Sequence, residues 1–144
     1  MKSILIASDH AGYTLKQKII SYLQENKVDH TDLGCDSSSD SVDYPDYANS
    51  LCQKFDEDQN VGILICGSGV GVSIVANRYS NIRAALCSSE KIARLSRQHN
   101  DANVVCLGAR FLEDEEAILI IKTFLETNFE NGRHQIRVEK MSGK

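Results

Sequence analysis

Apolar runs alternate along the chain with stretches whose apolar residues recur at helical spacing. The first run, Lys2 to Ser8 (KSILIAS), is aliphatic and β-branched and predicts a strand. Behind it, GYTLKQKIISYLQEN sets Leu15, Ile19 and Leu23 four apart, the spacing of one helix face. KVDHTDLG predicts a second, weaker strand. CDSSSDSVDYPDY then forms a serine and aspartate loop up to Pro45, where proline suits the first turn of a helix running to about Phe55. VGILIC is an unbroken apolar run, as in strands buried on both faces, and VGVSIVANRY after it is helical in pattern. IRAALC predicts strand four, and SSEKIARLSRQ a helix capped by Ser88 or Ser89. ANVVCLG predicts strand five. Glu113, Asp114, Glu115 and Glu116 then crowd the first turn of a helix through AILIIKTFLETNF, where the positive end of a helix favours acids. Strand and helix repeated five times predict an α/β fold, a five-stranded parallel sheet with helices on both faces. Only the tail after Gly132, RHQIRVEKMSGK, falls outside this rhythm.

With 144 residues and 42% hydrophobic content, the chain is expected to form one domain over 1–144, with 132–144 as a C-terminal tail. The formal net charge of -4 offers no basic field for a polynucleotide, so no nucleic-acid partner is expected. The first apolar run is shorter than the roughly 7–15 residues of a signal-peptide core. No run is long enough to span a bilayer, so no membrane partner is expected either. The five cysteines (35, 52, 66, 87 and 106) are odd in number and form no C-x-x-C pair, which fits reduced thiols in the cytoplasm.

In parallel sheets, ligands bind beyond the carboxyl ends of the strands, where the strand order reverses. Three polar clusters fall at such ends: Asp9-His10, Cys66 to Gly71, and Gly108 to Arg110. His99-Asn100 closes the fourth helix just before strand five, and topology alone does not say whether it approaches the same crevice. Gly67, Gly69 and Gly71 let backbone come close to a ligand, while the following helix aims free N–H groups at it. The spacing G-x-G-x-G matches neither the dinucleotide fingerprint G-x-G-x-x-G nor the G-K-[ST] of a triphosphate loop. A bare tight turn would explain single glycines; three in five residues favour an anion site.

Such donors would favour a thiolate at Cys66, a usable base or nucleophile at an exposed-looking address. The other four cysteines sit where a thiol is usually a small buried hydrophobe. A cysteine phosphatase would want arginine six positions on, and residue 72 is Val. Asp9-His10 alone could be a cap, and His99 alone could be explained by the negative end of its helix. Histidines 10, 30, 99 and 134 show no metal-ligand spacing, so no metal and no cofactor are expected. Arg133 and Arg137 are four apart and share a face if the tail is helical, able to grip a phosphate or simply to solvate the chain end.

Taken together, SDHAG, DYPDYA, ILICGSGVGVSIVANR, IRAALC, LSRQHNDANVVCLGAR and GRHQIRV resemble the type B ribose-5-phosphate isomerase family and its galactose- and allose-6-phosphate isomerase relatives, over nearly the full length. The resemblance implies a Rossmann-like α/β sandwich, a metal-independent aldose-ketose isomerase, and a homodimer or dimer of dimers whose sites draw on both subunits. By that resemblance Cys66 is the base acting through an enediolate, and His99 the acid that opens the furanose ring. The turn Gly67, Ser68, Gly69, Val70 and Gly71 stabilises the enediolate oxygen, with the Ser68 hydroxyl standing where some members have threonine. Asp9, His10, Asn100, Arg110, Arg133 and Arg137 bind substrate, the last two reaching its phosphate from the neighbouring subunit. Asp46 stands where some members have histidine, and no role attaches to it. The alternatives are a six-carbon sugar phosphate as substrate, a phosphosugar-binding domain without catalysis, and a thiol-nucleophile enzyme.

Overall fold

The alternation of strand and helix continues through the whole of the computed structural model, which describes residues 1–141. In order come β1 (Ser3–Ser8), α1 (Tyr13–Glu25), β2 (His30–Asp32), α2 (Tyr44–Lys54), β3 (Asn60–Cys66), α3 (Val70–Ala76), β4 (Ala84–Leu86), α4 (Glu90–Asn100), β5 (Val104–Gly108), a 3-10 turn at Ala109–Phe111, α5 (Asp114–Glu126) and α6 (Arg133–Lys140). All strands are parallel, in the order β2-β1-β3-β5-β4. The chain steps outward from β1 to β2 and then crosses back to β3, so the order reverses between β1 and β3. Among the described residues, no helix is long and apolar enough to cross a membrane.

The strict alternation of side chains along each strand sorts the core into two layers. Ile4, Ile6, Ile63, Ile65, Val105 and Leu107 pack with Leu15, Ile19, Ala93, Ala117, Ile120 and Phe124 of α1, α4 and α5. Leu5, Ala7, Leu64, Cys66, Val104 and Cys106 pack with Ala48, Leu51, Val72 and Ala76 of α2 and α3. Burial on both faces explains the unbroken apolar runs of the central strands. Each fully buried Ile or Leu there contributes about 1.5–3 kcal/mol. The two outer strands are shorter than their sequence runs predict, three residues each. Short edges limit the row of backbone groups left open to other chains. Ser89 rather than Ser88 caps α4, accepting the Ile92 N–H at 3.2 Å. The acidic first turn of α5 forms a reciprocal capping box, with Glu116 accepting the Glu113 N–H at 3.1 Å.

The tail beyond Gly132 is helical over Arg133–Lys140 and presents Ile136, 59% exposed, and Met141, 51% exposed, away from the body. Residues 142–144, the end of the predicted tail, lie outside the described residues.

One charge is fully inside. Lys16 on α1 has no exposed surface, and its Nζ donates to Asp32 Oδ1 at 2.6 Å and to the Cys35 carbonyl at 2.9 Å. Asp32 also accepts the Gly34 N–H at 2.9 Å, so this pair holds the start of the loop leading to α2. Removing the carboxylate strands a buried ammonium, whereas removing the ammonium leaves Asp32, 38% exposed, to water. Asp32→Ala is therefore expected to cost about 3 kcal/mol, and Lys16→Met about 1–2 kcal/mol for the Cys35 carbonyl it leaves unpaired. Urea denaturation of both variants checks the order, and a larger loss for Lys16→Met contradicts it.

Candidate active site

The three polar clusters at strand ends are brought together by register. Ser8 of β1 pairs with Ile65, and Cys66 pairs with Gly108, so β1, β3 and β5 end side by side. The Asp9 N–H donates across to the Ile65 carbonyl at 3.2 Å, and the Arg110 N–H to the Gly67 carbonyl at 3.0 Å. Asp9 is buried, its Oδ1 accepting the Gly12 N–H at 3.1 Å at the entry to α1. His10 Nδ1 accepts the Val42 N–H at 3.0 Å, so the neutral ring carries its proton on Nε2. That bond ties the serine and aspartate loop to the end of β1.

Side chains and backbone lie close against the glycines of the turn, and at Gly69 backbone alone excludes any larger residue. Gly69 has φ +78°, and a Cβ there would stand 2.8 Å from the Leu107 carbonyl carbon and 3.0 Å from the Gly108 nitrogen. A Cβ on Gly71 would meet the Tyr44 ring at 2.5 Å, and one on Gly67 the Arg110 guanidinium at 2.8 Å. Arg110 thus covers the start of the turn and Tyr44 its end. The Gly69 N–H donates to Cys66 Sγ at 3.2 Å, and the Val70 N–H to Ser68 Oγ at 3.2 Å. The Gly71 and Val72 amides take no protein partner among the described residues, which leaves two donors at the start of α3.

Cys66 is not the exposed thiol its sequence context suggests. It is 5% exposed and, like the other four cysteines, buried, because its side chain alternates onto the α2 and α3 face. Its distinction is the donor aimed at its sulfur. Burial raises Cys52 to about 11 and Cys87 to about 11, the latter partly offset by its hydrogen bond to Ser96, and pushes Cys106 well above the ordinary thiol value. Those three remain protonated at neutral pH.

His99 and Asn100 lie elsewhere. α4 runs against the strand direction, so its last turn reaches the amino ends, next to the entry into β5. Cys66 is level with Gly108, four residues along β5 from Val104; at ~3.3 Å per residue the two levels are about 13 Å apart. Within one chain, Cys66 and His99 do not share a crevice. A cavity of about 650 Å³, lined by Ile4, Val61, Arg83, Arg97 and Phe124, also opens at the amino ends, away from Cys66.

His99 instead stacks on His134 of α6, ring centroids 4.3 Å apart and planes 12° from parallel. His134 is 6% exposed, with Nε2 3.5 Å from Glu130 Oε1. The Glu130 N–H donates to the Gln98 carbonyl at 3.1 Å, fastening this loop to α4. Arg133 and Arg137 stand exposed on α6, so the tail whose helicity the sequence left open is helical. Tyr44, Glu130 and His134 were missed by the sequence analysis. The only available signal was the four-residue spacing of Glu130 and His134 ahead of a helical tail.

Burial holds His134 below its ordinary value of 6.5, helped by His99, Arg133 and Arg137 and opposed by Glu130. The folded protein therefore takes up this proton less readily than the unfolded chain. Its contribution is complete above 6.5 and is lost as pH falls from 6.5 through the lower folded value. His134→Gln should flatten the fall of the urea midpoint across that window, and an unchanged slope contradicts the assignment. At the turn, Gly69→Ala should cost at least about 1–2 kcal/mol from left-handed strain alone. Ser68→Ala, on an exposed position, should stay within about 0.5 kcal/mol; equal losses in urea denaturation contradict the need for glycine.

Comparison with known proteins supplies the context for this geometry. The ribose/galactose isomerase family model matches residues 4–141. A probable ribose-5-phosphate isomerase B of Mycoplasma genitalium is 48% identical, covering 96% of this chain and 93% of the relative. Ribose-5-phosphate isomerase B of Escherichia coli K12 is 44% identical, covering 99% and 95%. Among solved structures, ribose-5-phosphate isomerase B of Mycoplasma genitalium with bound ribulose-5-phosphate superposes with a TM-score of 0.94 at 47% identity, covering 98% of this chain and 94% of that one. The Thermotoga maritima enzyme gives 0.94 at 46% identity, covering 99% of each. With a glycine turn closed on a cysteine at the switch point of a five-stranded parallel sheet, and a family match from residue 4 to residue 141, the chain belongs to the ribose/galactose isomerase family.

Proposed function

We propose that the chain is an aldose-ketose isomerase that interconverts ribose 5-phosphate and ribulose 5-phosphate through an enediolate. The observation that carries this reading is the cysteine at the switch point, whose sulfur receives the Gly69 N–H at 3.2 Å while, among the described residues, the Gly71 and Val72 amides take no protein partner. Sugar and reaction follow the names of the relatives and the ribulose-5-phosphate bound in the Mycoplasma genitalium structure.

Cys66, as thiolate, takes the proton from C2 of the open-chain aldose and returns it to C1, while the C2 hydroxyl proton passes to the C1 oxygen, so that C1 becomes an alcohol and C2 the ketone. The negative charge moves to the carbonyl oxygen, where the Gly67 to Gly71 backbone and the Ser68 hydroxyl receive it; loss of one such donor typically costs about 10²–10³ in rate. Asp9, His10 and Arg110 hold substrate hydroxyls at the same rim. Binding energy from the unreactive phosphate orients the carbons.

The acid must come from a second copy. His99 lies about 13 Å along the strand direction from the level of Cys66, and the same amino-end region carries Asn100, Arg133 and Arg137. A two-fold pair brings the amino-end cluster of one subunit against the carboxyl-end turn of the other, twice over. His99 of the second copy opens the furanose ring, and its Arg133 and Arg137 grip the phosphate. The exposed Ile136 and Met141, beside those arginines, suit burial in that contact. The assembly is a homodimer or a dimer of dimers built from single domains over 1–144, working in the cytoplasm where its five free thiols stay reduced. No metal takes part in the proton transfer.

Cys66→Ala should fold and bind ribose 5-phosphate while losing about 10²–10⁴ in the rate of C2 proton exchange. The assay is deuterium incorporation into ketose in heavy water with chelator present; exchange at the parent rate in the variant contradicts the assignment, and chelator-sensitive exchange contradicts the metal-free mechanism. The ratio of kcat/KM on five- and six-carbon aldose phosphates, expected to favour ribose 5-phosphate, tests the sugar.

A further inference from the structure

His99 and His134 are far apart in sequence, and neither has metal-ligand spacing, yet the fold assembles them with Glu130 into one cluster. The coordinating atoms of His99, Glu130 and His134 all lie within 4.8 Å of one another. Two imidazoles and a carboxylate are a donor set suited to Zn²⁺. Around a tetrahedral Zn²⁺, with bonds of about 2.0–2.2 Å, ligand atoms stand roughly 3.3–3.5 Å apart. His134 Nε2 and Glu130 Oε1, at 3.5 Å, already meet that separation. His99 needs to close by up to about 1.5 Å and to splay from its stack, because parallel rings direct their lone pairs side by side; it is only half-buried.

We infer that His99, Glu130 and His134 form a zinc-type transition-metal site that switches the isomerase off. An ion on His99 turns that ring out of its stack toward Glu130 and His134, taking it from the orientation in which it would open the sugar ring, so ring opening stops while the turn around Cys66 is untouched. This consequence rests on the role of His99 proposed above, whereas the binding itself does not. Arg133 and Arg137 oppose a cation, while Glu130 supplies a compensating charge.

The test uses the purified full chain, stripped with chelator and desalted. ZnCl₂ is titrated in competition with a chromogenic indicator, in parallel with isomerisation of ribose 5-phosphate. One equivalent of Zn²⁺ per chain should bind, and turnover should fall in step with occupancy and return on adding chelator. Glu130→Ala, an exposed substitution, should retain chelator-treated turnover yet bind zinc at least about tenfold more weakly, the minimum that loss of even an outer partner causes. His134→Ala should show the same weakening, and Cys66→Ala should bind as the parent does, which separates this site from thiol binding. No binding, or binding unchanged in Glu130→Ala, overturns the site. Binding with the expected dependence but without any turnover in the parent leaves the site standing and sinks the isomerase reading. Binding without inhibition overturns the switch.

Discussion

Every strand of the sheet points the same way, and this single constraint governs where chemistry can happen. Parallel strands need return helices, so strand ends gather at one edge and helix ends at the other. The glycine turn follows β3 and belongs to the first edge; His99 ends α4 and belongs to the second. No rotamer change bridges the two levels. In the proposed isomerase, an acid at one edge and a base at the other would cooperate across two copies, so the proposal carries a prediction of assembly.

The same connectivity accounts for the shape of the turn. β3 lies between β1 and β5, so the residues after it have backbone on either side, and only glycine fits where Gly69 passes Leu107 and Gly108. That close approach directs the Gly69 amide toward the Cys66 sulfur. Arg110 and Tyr44, supplied by the ends of β5 and the start of α2, close over the flanking glycines. Buried as it is, Cys66 still faces a backbone donor, the Gly69 N–H.

Much of this was legible in the residues. Runs such as VGILIC and ANVVCLG announce strands covered on both faces, and Leu15, Ile19 and Leu23 announce the helix between them, because burial imposes periods that composition alone cannot imitate. Strand order was not legible, since no residue records which strand is its neighbour. Neither was the stacking of His99 on His134, which depends on a helix folding back after a loop anchored by Glu130 on Gln98. The exposure of Cys66 was misjudged for a related reason: side-chain alternation places it on the α2 and α3 face, and that face is known only once the helices are in place.

The proposed sharing of a site between two copies is tested most directly by a hybrid. Cys66→Ala chains and His99→Asn chains, each inactive as a pure assembly, are co-expressed with different tags and the mixed dimer is isolated. It contains one site with both defects and one with neither. The account predicts about half the activity of the parent dimer, restored by pairing alone. A hybrid as inactive as either pure variant would contradict it, because base and acid would then have to come from the same chain.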